Sequence, residues 1–171
     1  MCLVERLKMP AAVLAGSVRN FFGEEQTVPN TRNEEIVLDF IGAYRDSWPP
    51  DLGAALRPLS EDAYYQIVVP TIPPIRGRDK IRQEHELMKV KVLDQKHDMI
   101  SYGSRDNTVF TERVDYSFRN GKWTPVPLVA VFELNDAGEI TAWREYLDLA
   151  NTARSHGMTV DDLMRSLDLA E

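Results

Sequence analysis

Thr108-Val-Phe-Thr-Glu-Arg-Val-Asp-Tyr-Ser-Phe118 is rich in β-branched and aromatic residues, the composition of a strand. It does not stand alone. Lys96–Tyr102 precedes it, and Trp123–Leu134 and Ile140–Leu147 follow with similar composition. The separators are short and polar: Gly103-Ser-Arg-Asp106, Arg119-Asn-Gly-Lys122 and Asn135-Asp-Ala-Gly138. The last two carry Asn and Gly, which tolerate positive φ and so suit hairpin turns. Four strands joined this way predict an antiparallel meander. Pro125 and Pro127 cannot donate to a ladder, which predicts an edge or a bulge at the start of the third strand.

Outward from the meander the period changes. Ile36, Val37, Phe40, Ile41 and Tyr44 recur at helical spacing, with Asn33 as the expected N-cap and Glu34 and Glu35 in the first turn. That helix should end near Trp48-Pro49-Pro50, with a short helical turn at Leu52–Leu56 after it. Ala63–Val69 reads as a strand and Pro70–Gly77 as a loop. A second long helix is predicted over Asp79–Val92, with Ile81, His85, Met88 and Val92 on one stripe. Near the end, Thr159 is placed to cap a helix that carries Val160, Leu163, Met164 and Leu167. Helices followed by an antiparallel sheet give an α+β domain whose helices cover one sheet face.

The chain has 171 residues, enough for one domain with a real core. We read an N-terminal arm over 1–28, the domain over 29–150 and a helical tail over 151–171. In the arm, Ala11–Ala15 is too short for the apolar core of a secretory signal, and Pro10 interrupts it. An amphipathic arm, with Phe21-Phe22 as a packing anchor, is expected instead. Lys+Arg number 20 and Asp+Glu 27, a formal charge of −7 that opposes binding to nucleic acid or anionic membranes. No apolar run is long enough to span a bilayer. Cys2 is the one cysteine, which rules out an internal disulfide or a multi-Cys zinc site. A cytoplasmic location is the default expectation.

Two strand motifs carry chemistry. In Thr111-Glu-Arg-Val-Asp115, Arg113 and Asp115 share a face. In Trp143-Arg-Glu-Tyr-Leu147, Glu145 shares a face with Trp143 and Leu147. A carboxylate between two large apolar residues is expensive on a buried face unless something pairs with it. If both faces point into one cavity, Arg113 sits between Asp115 and Glu145. Two carboxyls in an apolar pocket titrate apart, one free to donate a proton and the other to accept one. Alternation alone equally allows a solvent-facing strand decorated with ion pairs worth about 0–1 kcal/mol each.

The same motifs, Thr111-Glu-Arg-Val-Asp115 and Trp143-Arg-Glu-Tyr-Leu-Asp148, resemble those of the limonene-1,2-epoxide hydrolase family. The likeness extends more weakly to Tyr65-Gln66, Gly77-Arg-Asp79 and Val131–Leu134, and so covers roughly 33–150. It implies the cone-shaped, SnoaL-like (cystatin-like) curved sheet, a homodimer, and hydrolysis of a small hydrophobic epoxide in one step without cofactor or metal. By that resemblance Asp115 is the acid that protonates the epoxide oxygen and Arg113 bridges the carboxylates. Glu145 stands where the family has the Asp that deprotonates water, and Tyr65 where a Tyr holds that water. Trp143, Leu147 and Ile67 would line the substrate pocket. Two residues depart from the pattern: Glu145 is one methylene longer than Asp, and Ile67 stands where the family has a water-holding Asn. An Ile cannot hold water. This leaves open a cyclase in which a substrate hydroxyl attacks, a ketosteroid-isomerase-like proton shuttle, or a non-catalytic binding protein.

His85, His97 and His156 have no partner ligand at metal-binding spacing. A scytalone-dehydratase-like use of His85 or His97 would require one of them to face the pocket. No phosphate-binding glycine loop or nucleophile elbow is present.

Overall fold

The computed structural model describes residues 18–19, 25–26, 30–45 and 49–167. The elements in chain order are β1 (Val18–Arg19), β2 (Glu25–Gln26), α1 (Thr31–Arg45), α2 (Leu52–Ala55), β3 (Leu59–Gln66), β4 (Ile75–Arg76), α3 (Arg78–Lys91), β5 (Asp94–Arg105), β6 (Thr108–Arg119), β7 (Lys122–Leu134), β8 (Ile140–Leu147), α4 (Leu149–Ser155) and α5 (Val160–Leu167). Apart from the two-residue ladder between β1 and β2, the N-terminal arm and its Phe21-Phe22 lie outside the described residues.

The meander forms as the composition predicts, and β8 spans Ile140–Leu147 as expected. Asn120 and Gly121 both have positive φ in the turn between β6 and β7, which is why Asn-Gly occurs there. β5 runs on to Arg105, so Gly103-Ser-Arg105 is strand and the turn is Asp106-Asn107. The six strands are ordered β4-β3-β8-β7-β6-β5. One pairing departs from the antiparallel expectation: β3 lies parallel to β8, with α3 and the meander between them in sequence. β3 also begins four residues earlier than predicted and stops at Gln66. Val68 has φ 59°, a conformation no strand can continue through. Pro125 and Pro127 fit because β8 ends opposite Leu128, leaving their part of β7 paired to β6 alone.

α1 begins three residues before the expected start. Asn30, not Asn33, is its cap and accepts the Asn33 amide at 3.3 Å. Val37, Phe40, Ile41 and Tyr44 then press onto the sheet, where Phe40 meets Trp143 edge-on at 5.1 Å and Phe132 at 6.0 Å. The helical face of the sheet is the core. A bulge at Ile100 in β5, opposite Glu112 and Arg113, bends the sheet beside those residues. At the end of the chain Thr159 and Asp162 cap α5 reciprocally, as predicted, although Val160 is exposed while Leu163 is buried. Among the described residues no helix is long and apolar enough to cross a membrane.

Candidate active site

Along β6 the buried positions are Val109, Thr111, Arg113 and Asp115, an alternation that turns from apolar to charged toward one end. β8 does the same with Trp143 and Glu145. β7 separates these strands, so their backbones lie about 10 Å apart. Contact across that gap needs two long side chains and something small between them. Ala130 supplies the space: it is fully buried and in register with Thr111 on one side and Glu145 on the other. Arg113 crosses over it to Glu145, which its longer side chain, one methylene more than Asp, helps to meet.

The contacts are closed and specific. Arg113 donates through Nε to Asp115 Oδ1 at 2.9 Å, through Nη1 to Thr111 at 2.8 Å, and through Nη2 to Glu145 Oε1 at 2.8 Å. Nη2 also reaches Asp115 Oδ2 at 3.4 Å. Trp143 Nε1 donates to Glu145 Oε1 at 3.2 Å, and the Tyr65 hydroxyl to Oε2 at 3.3 Å. Sequence reasoning missed a further member. Arg45, at the end of α1, places Nη2 3.0 Å from Asp115 Oδ2 and 3.8 Å from Glu145 Oε1. Its Nη1 donates to Gln95 at 2.8 Å. The signal was present: Arg45 lies four residues after Ile41 and so continues the buried stripe of α1.

Burial pushes the Glu145 carboxyl above its ordinary value, against the pull of Arg113 and Arg45 and with help from the Asp115 charge. Burial and the Glu145 charge push Tyr65 well up, so it stays a donor. Asp115, Glu145, Tyr65 and Arg45 line one cavity of about 120 Å³ with Ile67 and Leu147. Arg113 and Trp143 lie beneath it instead. Trp143 is packed against Tyr65 at 4.2 Å and orients Glu145, so it supports the site from behind and does not form its wall. Val69 N–H donates to the Glu145 carbonyl at 3.0 Å, pinning the loop after Ile67 beside that carboxylate.

The histidines fall differently. His85 and His97 are not among the described residues of the cavity wall, whereas His156 is. His85 is buried among Tyr44, Tyr65 and Trp143, with Nδ1–H donating to the Ile81 carbonyl at 2.7 Å. Its Nε2 has no partner, and burial lowers its pKa from 6.5 to about 4. An unfolded chain therefore binds this proton where the folded one does not. Stability should fall by about 3 kcal/mol as pH drops from 6.5 through 4. Denaturant unfolding at several pH values checks this, and His85→Phe should flatten the slope. Among the described residues no three His, Cys, Asp or Glu side chains converge on a metal position.

Residues 31–156 match the family model of the limonene-1,2-epoxide hydrolase catalytic domain. The chain belongs to that family. An LEH-like epoxide hydrolase from M. tuberculosis superimposes with a TM-score of 0.64 at 24% identity, covering 80% of this chain and 97% of that one. A Catenulispora acidiphila protein with a ketosteroid isomerase-like fold, solved with trimethylamine, also gives 0.64 at 18% identity, over 74% and 95%. A Burkholderia xenovorans NTF2-like protein of unknown function gives 0.55 at 17% identity, over 69% and 84%. These likenesses establish the fold, which the limonene-1,2-epoxide hydrolase family thus shares with isomerase-like proteins. Within the family-matched segment lie Tyr65, Arg113, Asp115, Glu145 and also Arg45.

Proposed function

We propose that this chain opens a hydrophobic epoxide to a vicinal diol by direct attack of water. The observation that carries the reading is the buried Asp115–Arg113–Glu145 bridge beside a cavity that both carboxylates line. Water, held by Tyr65 and Glu145 Oε2, attacks a ring carbon. The C–O bond breaks, the released oxygen takes the Asp115 proton, and Glu145 takes the proton of the water. Arg113 and Arg45 stabilise the carboxylate that Asp115 becomes, and burial favours the proton arriving on Glu145. The cycle closes when that proton returns to Asp115. No enzyme ester forms. A single turnover in ¹⁸O-water should put label in the diol and none in the protein; unlabelled first-turnover diol would overturn direct attack.

The two roles have different signatures. Azide needs no deprotonation to act as a nucleophile, so it should restore epoxide opening to Glu145→Gln and not to Asp115→Asn. Product analysis by mass spectrometry reads this directly. The reverse pattern would exchange acid and base.

Ile67 favours a second reading. It lines the cavity where the family resemblance expects an amide, and the neighbouring Gln66 amide is spent on the Ile72 carbonyl and the Tyr64 hydroxyl. With water held by fewer groups, a hydroxyl of the substrate could attack instead and close a ring. A hydroxy-epoxide that yields a cyclic ether without ¹⁸O uptake would select cyclisation; quantitative labelled diol would select hydrolysis.

A further inference from the structure

Arg119 continues the inward face of β6 beyond Arg113, Asp115 and Ser117, and it lines the same cavity. Its situation is unlike that of the other arginines there. Arg45 and Arg113 both touch carboxylates. Arg119 is half-buried, its Nε is closed off from solvent with no hydrogen-bond partner, and it makes no ion pair among the described residues. A guanidinium is always charged and presents a planar fork of donors suited to an oxyanion. Leaving the Nε–H buried and unmet is unfavourable unless a ligand meets it.

The surroundings hold one further cation and a histidine. His156 of α4 also lines the cavity, and its Nδ1 is engaged by the Thr152 carbonyl at 2.8 Å. Burial, opposed by the Thr152 hydrogen bond and reinforced by the charges of Arg119 and Lys122, holds His156 below its ordinary value and favours its neutral form. Lys91, at the end of α3, stands on the same wall. On β6 the inward residue between Asp115 and Arg119 is Ser117, and the cavity wall also carries apolar side chains that include Val126, Leu128, Leu147 and Leu163. Asp115 and Arg119 are four steps apart along the strand, about 13 Å between their Cα atoms.

We propose that Arg119 is the anion-binding end of the cavity, so that the substrate is an epoxide joined through an apolar spacer to a carboxylate. This rests on the epoxide-opening reading and specifies its substrate class. Asp115 and Glu145 act on the ring while Arg119 fixes the far end, which sets which ring carbon faces the water.

The test pairs an epoxy-alkanoic acid with its methyl ester. The wild-type protein should prefer the acid by tenfold or more in kcat/KM, and added salt should erode the preference. In Arg119→Gln the acid-to-ester ratio should fall at least tenfold, with the change in KM, and Arg119→Lys should recover part of it. An unchanged ratio in Arg119→Gln, or no acid preference in the wild type, overturns the proposal. Octanoate, which has no epoxide, separates this proposal from the hydrolase reading. Calorimetry should show it binding the wild type and binding Arg119→Gln at least tenfold more weakly. Octanoate binding that depends on Arg119 without turnover of any epoxide would sustain the anion end and overturn the hydrolase reading. Absence of octanoate binding, or binding indifferent to Arg119, would overturn the anion end.

Discussion

Asp115→Asn should lower diol formation by a factor of about 10² to 10⁴, the usual worth of a positioned acid. The replacement keeps the shape and removes the proton. It also disturbs the contacts around it. Asp115 Oδ2 is ion-paired with Arg45 Nη2 at 3.0 Å and accepts from Arg113 at 3.4 Å, and Oδ1 accepts from Arg113 Nε at 2.9 Å. Whichever way the Asn amide turns, its NH₂ confronts a guanidinium donor. Single-turnover kinetics on a reactive epoxide, with circular dichroism to confirm the fold, measures the effect. Turnover close to wild type would remove Asp115 from the reaction.

Arg113→Met should cost about 3–5 kcal/mol of stability, because removing one member of a buried ion cluster leaves its partners uncompensated. Arg113 is 1% exposed and Glu145 2%, so water cannot replace what is lost. For a chain of this size that is a fall of about 10 °C in Tm. Arg45 remains near both carboxylates and keeps the loss from being larger. The deficit should depend on pH in a defined direction. Burial already raises the Glu145 pKa, and without Arg113 it rises further. A folded state that holds a proton the unfolded state has released loses stability as pH rises through that interval. The gap between variant and wild type should therefore be smaller near pH 4.5 than at pH 7.5, read by denaturant unfolding at both.

Alternation along β6 and β8 was enough to put Arg113 with Asp115, and Glu145 with Trp143, on shared faces without saying that those faces are buried, and the Asn-Gly turn marked its hairpin. Those are local properties with a period of two. Alternation says which way a side chain points and nothing about which strand lies alongside. The parallel pairing of β3 with β8, which brings Tyr65 to Glu145, is set by the packing of the whole sheet. Arg45 was missed for a related reason. Its helical position continues a core stripe, but an arginine at the end of a helix is ordinarily solvated, and only the approach of α1 to the carboxylates gives it a partner. The early start of α1 turned on the choice between two asparagines three residues apart. The end of β3 depended on one valine adopting positive φ, a conformation composition gives no reason to expect.

Among the stretches of chain that build the cavity, two have different duties. Its floor, with the reacting carboxylates, belongs to β6 and β8. Part of its far wall comes from α4 and α5, through Thr152, His156, Leu163 and Ser166. Among the described residues, the hydrogen bonds and ion pairs of the carboxylate bridge involve none of these four. Mutations in the last two helices can therefore reshape what the cavity admits while leaving proton transfer intact. The segment least marked by catalytic motifs is where substrate range can drift most freely, and it is the natural place to begin directed evolution of a new specificity.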